Sequence, residues 1–297
     1  MNIQSKKYAI YTAMVGGYDE IMQPKVVDNR FDYILFSNDI QEDRVGVWQV
    51  RPISYYNDDN TRICRYVKTH PEELLPEYDF SVWMDSNVRI LTIFLYERCL
   101  ELYQQGCQIA SMNHLERNCI YDEAFAVLDY QLEYEPVIVK WCNQLRKQNY
   151  PKNNGLFETN VVFRANNEQI GELDSLWWKY IDAYSRRDQL SFNYVLWKLS
   201  MPCEFIATKD INTNNSNDFE RISHTSAKTR SIDYEGNISW LIRYLNKVPW
   251  AKDEINSVYY VIYALPFPHF WAAFFGQLYR IKYFLKRQKK RLKSLIQ

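Results

Sequence analysis

The feature that most constrains this chain is an alternation of short β-rich runs with helical stretches. The runs Tyr8 to Val15, Phe31 to Ser37, Trp48 to Ile53, Phe80 to Met84 and Gln108 to Met112 are rich in β-branched and aromatic residues. Each is bounded by Gly, Asp, Asn or Pro, the pattern of strands. Between them, residues 60–69 and 93–105 have helical periodicity. Further along, residues 158–164 and 203–208 predict strands, and residues 123–148, 167–185 and 189–199 predict helices. Residues 212–218 (NTNNSND) predict a loop on composition alone. Such alternation predicts an α/β fold, a mostly parallel sheet covered by helices.

Length and composition agree with this. A chain of 297 residues that is 47% hydrophobic, with only 8 Gly and 10 Pro, buries a sizeable core and excludes a disordered or collagen-like protein. The absence of a repeat at a period of 20 to 50 residues excludes a solenoid. Six cysteines form no C-x-x-C pair, which predicts free thiols in a reducing compartment. The N-terminal run enters strand-like sequence without a signal-peptide apolar core, so the expected location is cytoplasmic.

The net charge of zero hides an asymmetry. No acid follows Glu254, whereas eight Lys and Arg between Arg280 and Lys293 make the tail basic and leave residues 1–254 at −8. An acidic body repels phosphodiester chains, so no nucleic-acid partner is expected. Residues 255–279 carry no charged side chain, but Pro266, Pro268, His269 and Gln277 count against a membrane span. Phe274, Leu278, Ile281, Leu285, Leu292 and Leu295 recur at helical spacing against the Lys/Arg face. The expectation is a domain over residues 1–230 and a helical, amphipathic, basic extension over 231–297. That extension would lie against an anionic membrane surface, making the protein peripheral at the inner face of a membrane; a helix docked on the body is the alternative.

In open α/β sheets ligands bind beyond the carboxyl ends of strands. Gly16-Gly17-Tyr18-Asp19, Ser37-Asn38-Asp39 and Asp85-Ser86-Asn87 follow three of the predicted strands. The glycine pair is neither G-x-G-x-x-G nor a P-loop, so dinucleotide and ATPase readings have no motif. Asp85-Ser86-Asn87 suits a hard divalent cation that keeps several waters, or equally an Asx-turn ending a strand. Arg62, Arg65 and Lys68, three residues apart, put three cations on one helix face, facing either solvent or a diphosphate.

The blocks YTAMVGGYDE, DYILFSND, TRICRYVKTHPEELLPEYDFSVWMDSNVRI, RNCIYDEA, NNGLFETNVVFR and SRRDQLSFNYVLWK, in that order over about residues 8–200, resemble the DUF616 family. This glycosyltransferase-like domain is related to plant mucilage and bacterial surface-polysaccharide proteins. The resemblance implies a GT-A, Rossmann-like fold and transfer of a sugar from a nucleotide-diphosphate donor to a hydroxyl of a glycan or lipid-linked glycan. It also implies a Mn²⁺ or Mg²⁺ ion held through a D-x-D-type motif, here Asp85 and Asn87 with an amide in place of the second carboxylate. By the same resemblance His224 completes the metal site and Lys228 contacts the diphosphate. Thr12, Ala13, Gly17 and Asp39 would line the nucleoside pocket, Arg65 and Lys68 face the diphosphate, and Asn154 and Asn160 grip the donor sugar. Two catalytic carboxylates remain open: Asp188 as the base of an inverting enzyme, or Glu158 as the back-face group of a retaining one. A glycan-binding scaffold without turnover is the alternative function.

Overall fold

The computed structural model describes residues 8–17, 20–130 and 132–222. Its strands are β1 (Tyr8–Ala13), β2 (Phe31–Phe36), β3 (Arg44–Val45), β4 (Trp48–Arg51), β5 (Phe80–Met84), β6 (Val88–Ile90), β7 (Ile109–Asn113), β8 (Phe157–Ala165), β9 (Glu204–Phe205) and β10 (Phe219–Arg221). Its helices are α1 (Asn60–Lys68), α2 (Pro71–Leu74), α3 (Phe94–Gln104), α4 (Ile120–Asp129), α5 (Glu135–Lys147), α6 (Glu168–Ala183) and α7 (Gln189–Lys198). These residues fall into two compact units, one built from residues 8–120 and 148–222 and the other holding 121–147.

In the larger unit eight strands form one sheet in the order β3-β4-β2-β1-β5-β8-β7-β9. The block β4-β2-β1-β5 is parallel throughout, and β7 and β9 are also parallel. Only β3 and the long β8 run against their neighbours. The mostly parallel sheet expected from the alternation is therefore present, with β8 inserted antiparallel between β5 and β7. Parallel strands are buried on both faces, and β5 is buried at all five residues while β1 and β2 show one half-buried residue each. One layer of the core packs Phe31, Phe80, Val82, Val161 and Phe163 against Tyr96 and Leu95 of α3. A second, two-stranded sheet pairs β6 with β10, neither of which the periodicity revealed.

Two boundaries differ from expectation. The helix expected over 123–148 is two helices, because Pro136 fits the first turn of α5 but has no N–H to continue a helix from α4. The strand expected over 203–208 shortens to Glu204–Phe205, the only stretch that pairs with β7. The expected boundary at residue 230 and the basic extension lie outside the described residues. Among the described residues no helix is long and apolar enough to cross a membrane.

The face of the sheet under α1, α6 and α7 carries a buried ion pair that fixes where α1 ends. Arg164 of β8 and Asp174 of α6 are both fully buried, and Arg164 Nη1 donates to both Asp174 oxygens at 3.1 and 3.0 Å. The same nitrogen donates to the Lys68 carbonyl at 2.5 Å, and the Tyr11 hydroxyl donates to that carbonyl at 2.9 Å. Burial pushes the Asp174 carboxyl up to about 7 despite the pull of Arg164. Removing one partner of such a pair strands a buried charge. Asp174→Ala is expected to cost about 3–5 kcal/mol in urea unfolding, whereas joint replacement by Arg164→Met and Asp174→Leu is expected to recover most of it. Equal losses in the single and double variants would contradict the role of the pair.

Candidate functional site

The site forms at the carboxyl end of β5, where the strand delivers Asp85 into a tight turn. The Val88 amide donates to the Asp85 carbonyl at 2.9 Å, and the Asp85 amide donates to the Asn160 carbonyl of β8 at 2.8 Å. One Asp85 carboxylate oxygen accepts from Trp83 Nε1 at 2.8 Å. The side chain remains 26% exposed, so this carboxylate faces both the interior and solvent.

Helix α1 brings the cations. Its start is capped by Asp59, whose side chain accepts from the Thr61 amide, and Arg65 and Lys68 lie in its last turn, where the helix dipole favours positive charge. Lys68 Nζ lies 2.5 Å from Asp188 Oδ2 and 3.9 Å from Asp85 Oδ1. Arg65 Nε lies 2.8 Å from Asp188 Oδ1, and its Nη1 lies 4.0 Å from Asp85 Oδ1. Asp85 at the end of β5 and the Arg65/Lys68 pair of α1 thus converge on one point. Arg62 does not join them. It donates to the carbonyls of Ile181, Asp182 and Tyr184 at 2.5, 3.2 and 3.0 Å, closing the carboxyl end of α6.

Lys68 is 1% exposed and lies 5.3 Å from the centre of the Trp83 ring and 5.7 Å from that of Trp177. Burial pulls its ammonium down to about 8, against the attraction of Asp188 and Asp85. Asp188, 3% exposed, precedes α7 but makes no side-chain cap there. Its carboxylate points to Lys68 and accepts from Thr159 Oγ1 at 2.7 Å. Burial opposes ionisation of Asp188, but Arg65 and Lys68 outweigh it and hold the carboxyl far below the usual range.

A second group of polar side chains adjoins this cluster along β8. Opposite Ser111 and Met112 the ladder slips by three residues, and the Ser111 hydroxyl lies 2.5 and 2.8 Å from the Glu158 and Val161 carbonyls. The slipped stretch carries Glu158, Thr159 and Asn160. Glu158 accepts from Asn212 Nδ2 at 2.7 Å and from Asn160 Nδ2 at 3.1 Å. Asn160 Nδ2 also reaches Thr213 Oγ1 at 2.6 Å. Burial pushes the Glu158 carboxyl up, opposed first by Arg221 and then by the two amides.

The remaining expected residues are placed as follows. Gly16 and Gly17 have φ of +82° and +60°, and the Asp39 carboxylate accepts from both amides, at 3.3 Å from Gly17. A Cβ on Gly16 would lie 2.2 Å from the Asn60 side chain, which leaves glycine as the residue that fits. Thr12 and Ala13 are buried within β1. Asn154 is exposed, 3.4 Å from the Tyr150 hydroxyl. Asn87 Nδ2 donates to the Ile222 carbonyl at 2.8 Å, tying the turn to the end of β10. His224 and Lys228 lie outside the described residues. Among the described residues no three His, Cys, Asp or Glu side chains gather as metal ligands. Asp85 is faced by two cations, and among the described residues it would hold a Mn²⁺ or Mg²⁺ ion through its carboxylate, with Asn87 offering an amide oxygen. Thr159, Trp83, Trp177, Asn212 and Thr213 carry no motif. Their only signals in sequence are position beside Glu158 and Asp85 and the amide-rich composition of the 212–218 loop.

Comparison with known proteins bears on the whole unit. No curated protein matches the chain. Among solved structures it is similar to one described as the apo structure of the WbbM bifunctional glycosyltransferase, at 11% identity and a TM-score of 0.41. That likeness covers 69% of this chain and 39% of the other, so the chain spans about two fifths of that protein. A family model described as TOD1/MUCI70, glycosyltransferase-like domain, matches residues 1–224, which include every strand of both sheets and the convergent Asp85, Arg65, Lys68 cluster. The chain belongs to this family, the one also called DUF616.

Proposed function

We propose that this protein transfers a sugar from a nucleotide-diphosphate donor to a hydroxyl of a glycan or lipid-linked glycan. The observation that carries this reading is the convergence of Asp85, Arg65 and Lys68 at the carboxyl end of β5, beside Glu158 and Asn160. In such a reaction negative charge grows on the departing diphosphate, and fixed cations in a place poor in water stabilise it most. Arg65, 14% exposed, meets the diphosphate directly, and Lys68 adds its field from beneath. Asp85 borders the donor, and Asn160 and Glu158 line the sugar side.

Of the two carboxylates, Glu158 is the one assigned to the proton of the acceptor hydroxyl. Its proton affinity is raised, as a general base requires. Asp188 is a weak base buried under two cations, and its part is to hold Arg65 and Lys68 in place. A glycan-binding scaffold without turnover is the second reading. It is favoured by the internal charge balance, since the two cations already face two carboxylates. On sequence alone, the basic segment after residue 270 is assigned to an anionic membrane surface.

Titration calorimetry and product analysis with UDP-, GDP- and CMP-sugars, with Mn²⁺ and with EDTA, test the reading. Asp85→Ala is expected to lower kcat/KM by about 10²–10³-fold with an unchanged melting temperature, and unchanged turnover would remove Asp85 from the site. Glu158→Gln is expected to lose kcat while keeping donor affinity. Asp188→Asn is expected to lose donor affinity together with about 3–5 kcal/mol of stability, because it strands two buried cations. A variant Asp188→Asn that is stable, binds donor and lacks only kcat would return the base role to Asp188. Raising the pH through about 8 discharges Lys68, so donor affinity is expected to fall there in the wild type and to stay flat in Lys68→Met.

A further inference from the structure

The turn that carries Asp85 runs directly into β6, and the β6–β10 sheet borders a groove of about 730 Å³. That size lies within the range of about 300–1,000 Å³ typical of ligand pockets. Lys25, Arg89 and Arg221 line it together with a single acid, Glu220. Arg89 and Glu220 sit opposite each other in the antiparallel ladder and pair at 3.0 Å, both at least a third exposed, so this bridge is weak and easily exchanged. Among the described residues Lys25 and Arg221 have no carboxylate within ion-pair distance. Arg221 reaches only the Asn214 side chain, at 3.3 Å. The groove therefore carries a net charge of +2 and unspent donors. Half-buried Leu91 supplies an apolar contact on the wall, with Phe219 of the core beneath it.

The wall of the groove is hydrogen-bonded to the proposed transfer site. Thr213, on its wall, is the residue that Asn160 Nδ2 contacts at 2.6 Å, and Asn160 contacts Glu158 through the same nitrogen. Arg221 is the charge that acts most strongly on Glu158. For the transfer proposed above, one hydrogen-bonded wall, Thr213 and Asn160, separates a sugar chain in the groove from the group assigned to its hydroxyl proton. We infer that the groove is an acceptor subsite for an anionic sugar chain, one whose carboxylate or phosphate groups pair with Lys25, Arg89 and Arg221. The inference rests on the transfer reading only for the word acceptor. The preference for acidic over neutral sugar stands on the charge and the cavity.

The test uses the full chain and three oligosaccharides in titration calorimetry. A β-1,4-linked mannuronate hexamer and β-1,4-mannohexaose share backbone and length and differ in the carboxylate, and a pentamannose phosphate supplies the other anion. At least one acidic ligand is expected to bind about tenfold or more tightly than mannohexaose, an advantage that shrinks as salt is raised. The double variant Lys25→Glu, Arg221→Glu is expected to lose that advantage while keeping its melting temperature and its affinity for nucleotide-sugar. Which acid binds identifies the anion the groove takes. Equal affinity for all three ligands, or an acidic preference that survives the double variant, would overturn the inference. Acidic preference in a wild-type protein that turns over no donor would sink the transfer reading and leave the groove standing. Donor turnover without acidic preference would do the reverse.

Discussion

Lys68 holds a full positive charge almost without water, and much of the site follows from how the chain makes that tolerable. A buried ammonium needs a nearby anion and polarisable surroundings. Asp188 provides the anion at 2.5 Å, and the Trp83 and Trp177 rings provide the surroundings. These groups come from α1, the start of α7, β5 and α6, so satisfying one charge ties four elements together. The backbone of the same residue is fixed as firmly. Its carbonyl takes hydrogen bonds from Arg164 and from Tyr11, which reach it from two strands of the sheet. The last turn of α1 is thus held at both the side chain and the main chain, and Arg65, in that same turn, has little freedom to leave Asp188. Preorganisation of this kind is what lets fixed charges stabilise a transition state without first having to reorient.

The other half of the site depends on a slip in the ladder rather than on charge. Opposite Ser111 and Met112 the ladder slips, yet β8 keeps its alternation there, so Thr159 reaches Asp188 while Glu158 and Asn160 turn to the 212–218 loop. The Ser111 hydroxyl, between the carbonyls on either side of the slip, occupies acceptors that the ladder leaves without a partner. One irregular stretch therefore serves both the cation cluster and the amide-lined carboxylate. The same carboxylate type accordingly meets two environments within β8 reach: Asp188 between cations, and Glu158 between amides.

The parallel core was legible because its strands are buried on both faces and read as unbroken apolar runs, as in Phe80 to Met84. The short strands β3, β6 and β10 were not. Two or three residues such as Val88–Ile90 leave too little pattern, and the β6–β10 pair is fastened by long-range bonds at both ends, Asn87 to Ile222 and Leu91 to Asp218. In the site, Asp85, Arg65 and Lys68 were legible because strand ends and helical spacing place them. The partner of the two cations was harder to foresee. Asp188 looks in sequence like a helix cap or a base, and only the fold shows its side chain turned inward to Lys68. Arg62 shows the converse, since its spacing groups it with Arg65 and Lys68, yet the carbonyls at the end of α6 capture it.

The distances within the cluster also bear on how a charged donor enters a site that is already neutral. Two cations face two carboxylates, so an incoming diphosphate meets no net attraction until one carboxylate yields. Asp188 contacts the cations at 2.5 and 2.8 Å and is buried, whereas Asp85 stands 3.9 and 4.0 Å away and is a quarter exposed. Coulomb attraction falls with distance and with access to water, so the Asp85 contacts are much the weaker. For the transfer proposed here, the phosphate replaces Asp85 as the second anion beside Arg65 while Asp188 keeps its place beneath. Asp85, released from the cations, is then free to meet the hydroxyls of the donor. On that proposal the carboxylate at the strand end is the exchangeable partner of a cation pair whose other partner is permanent.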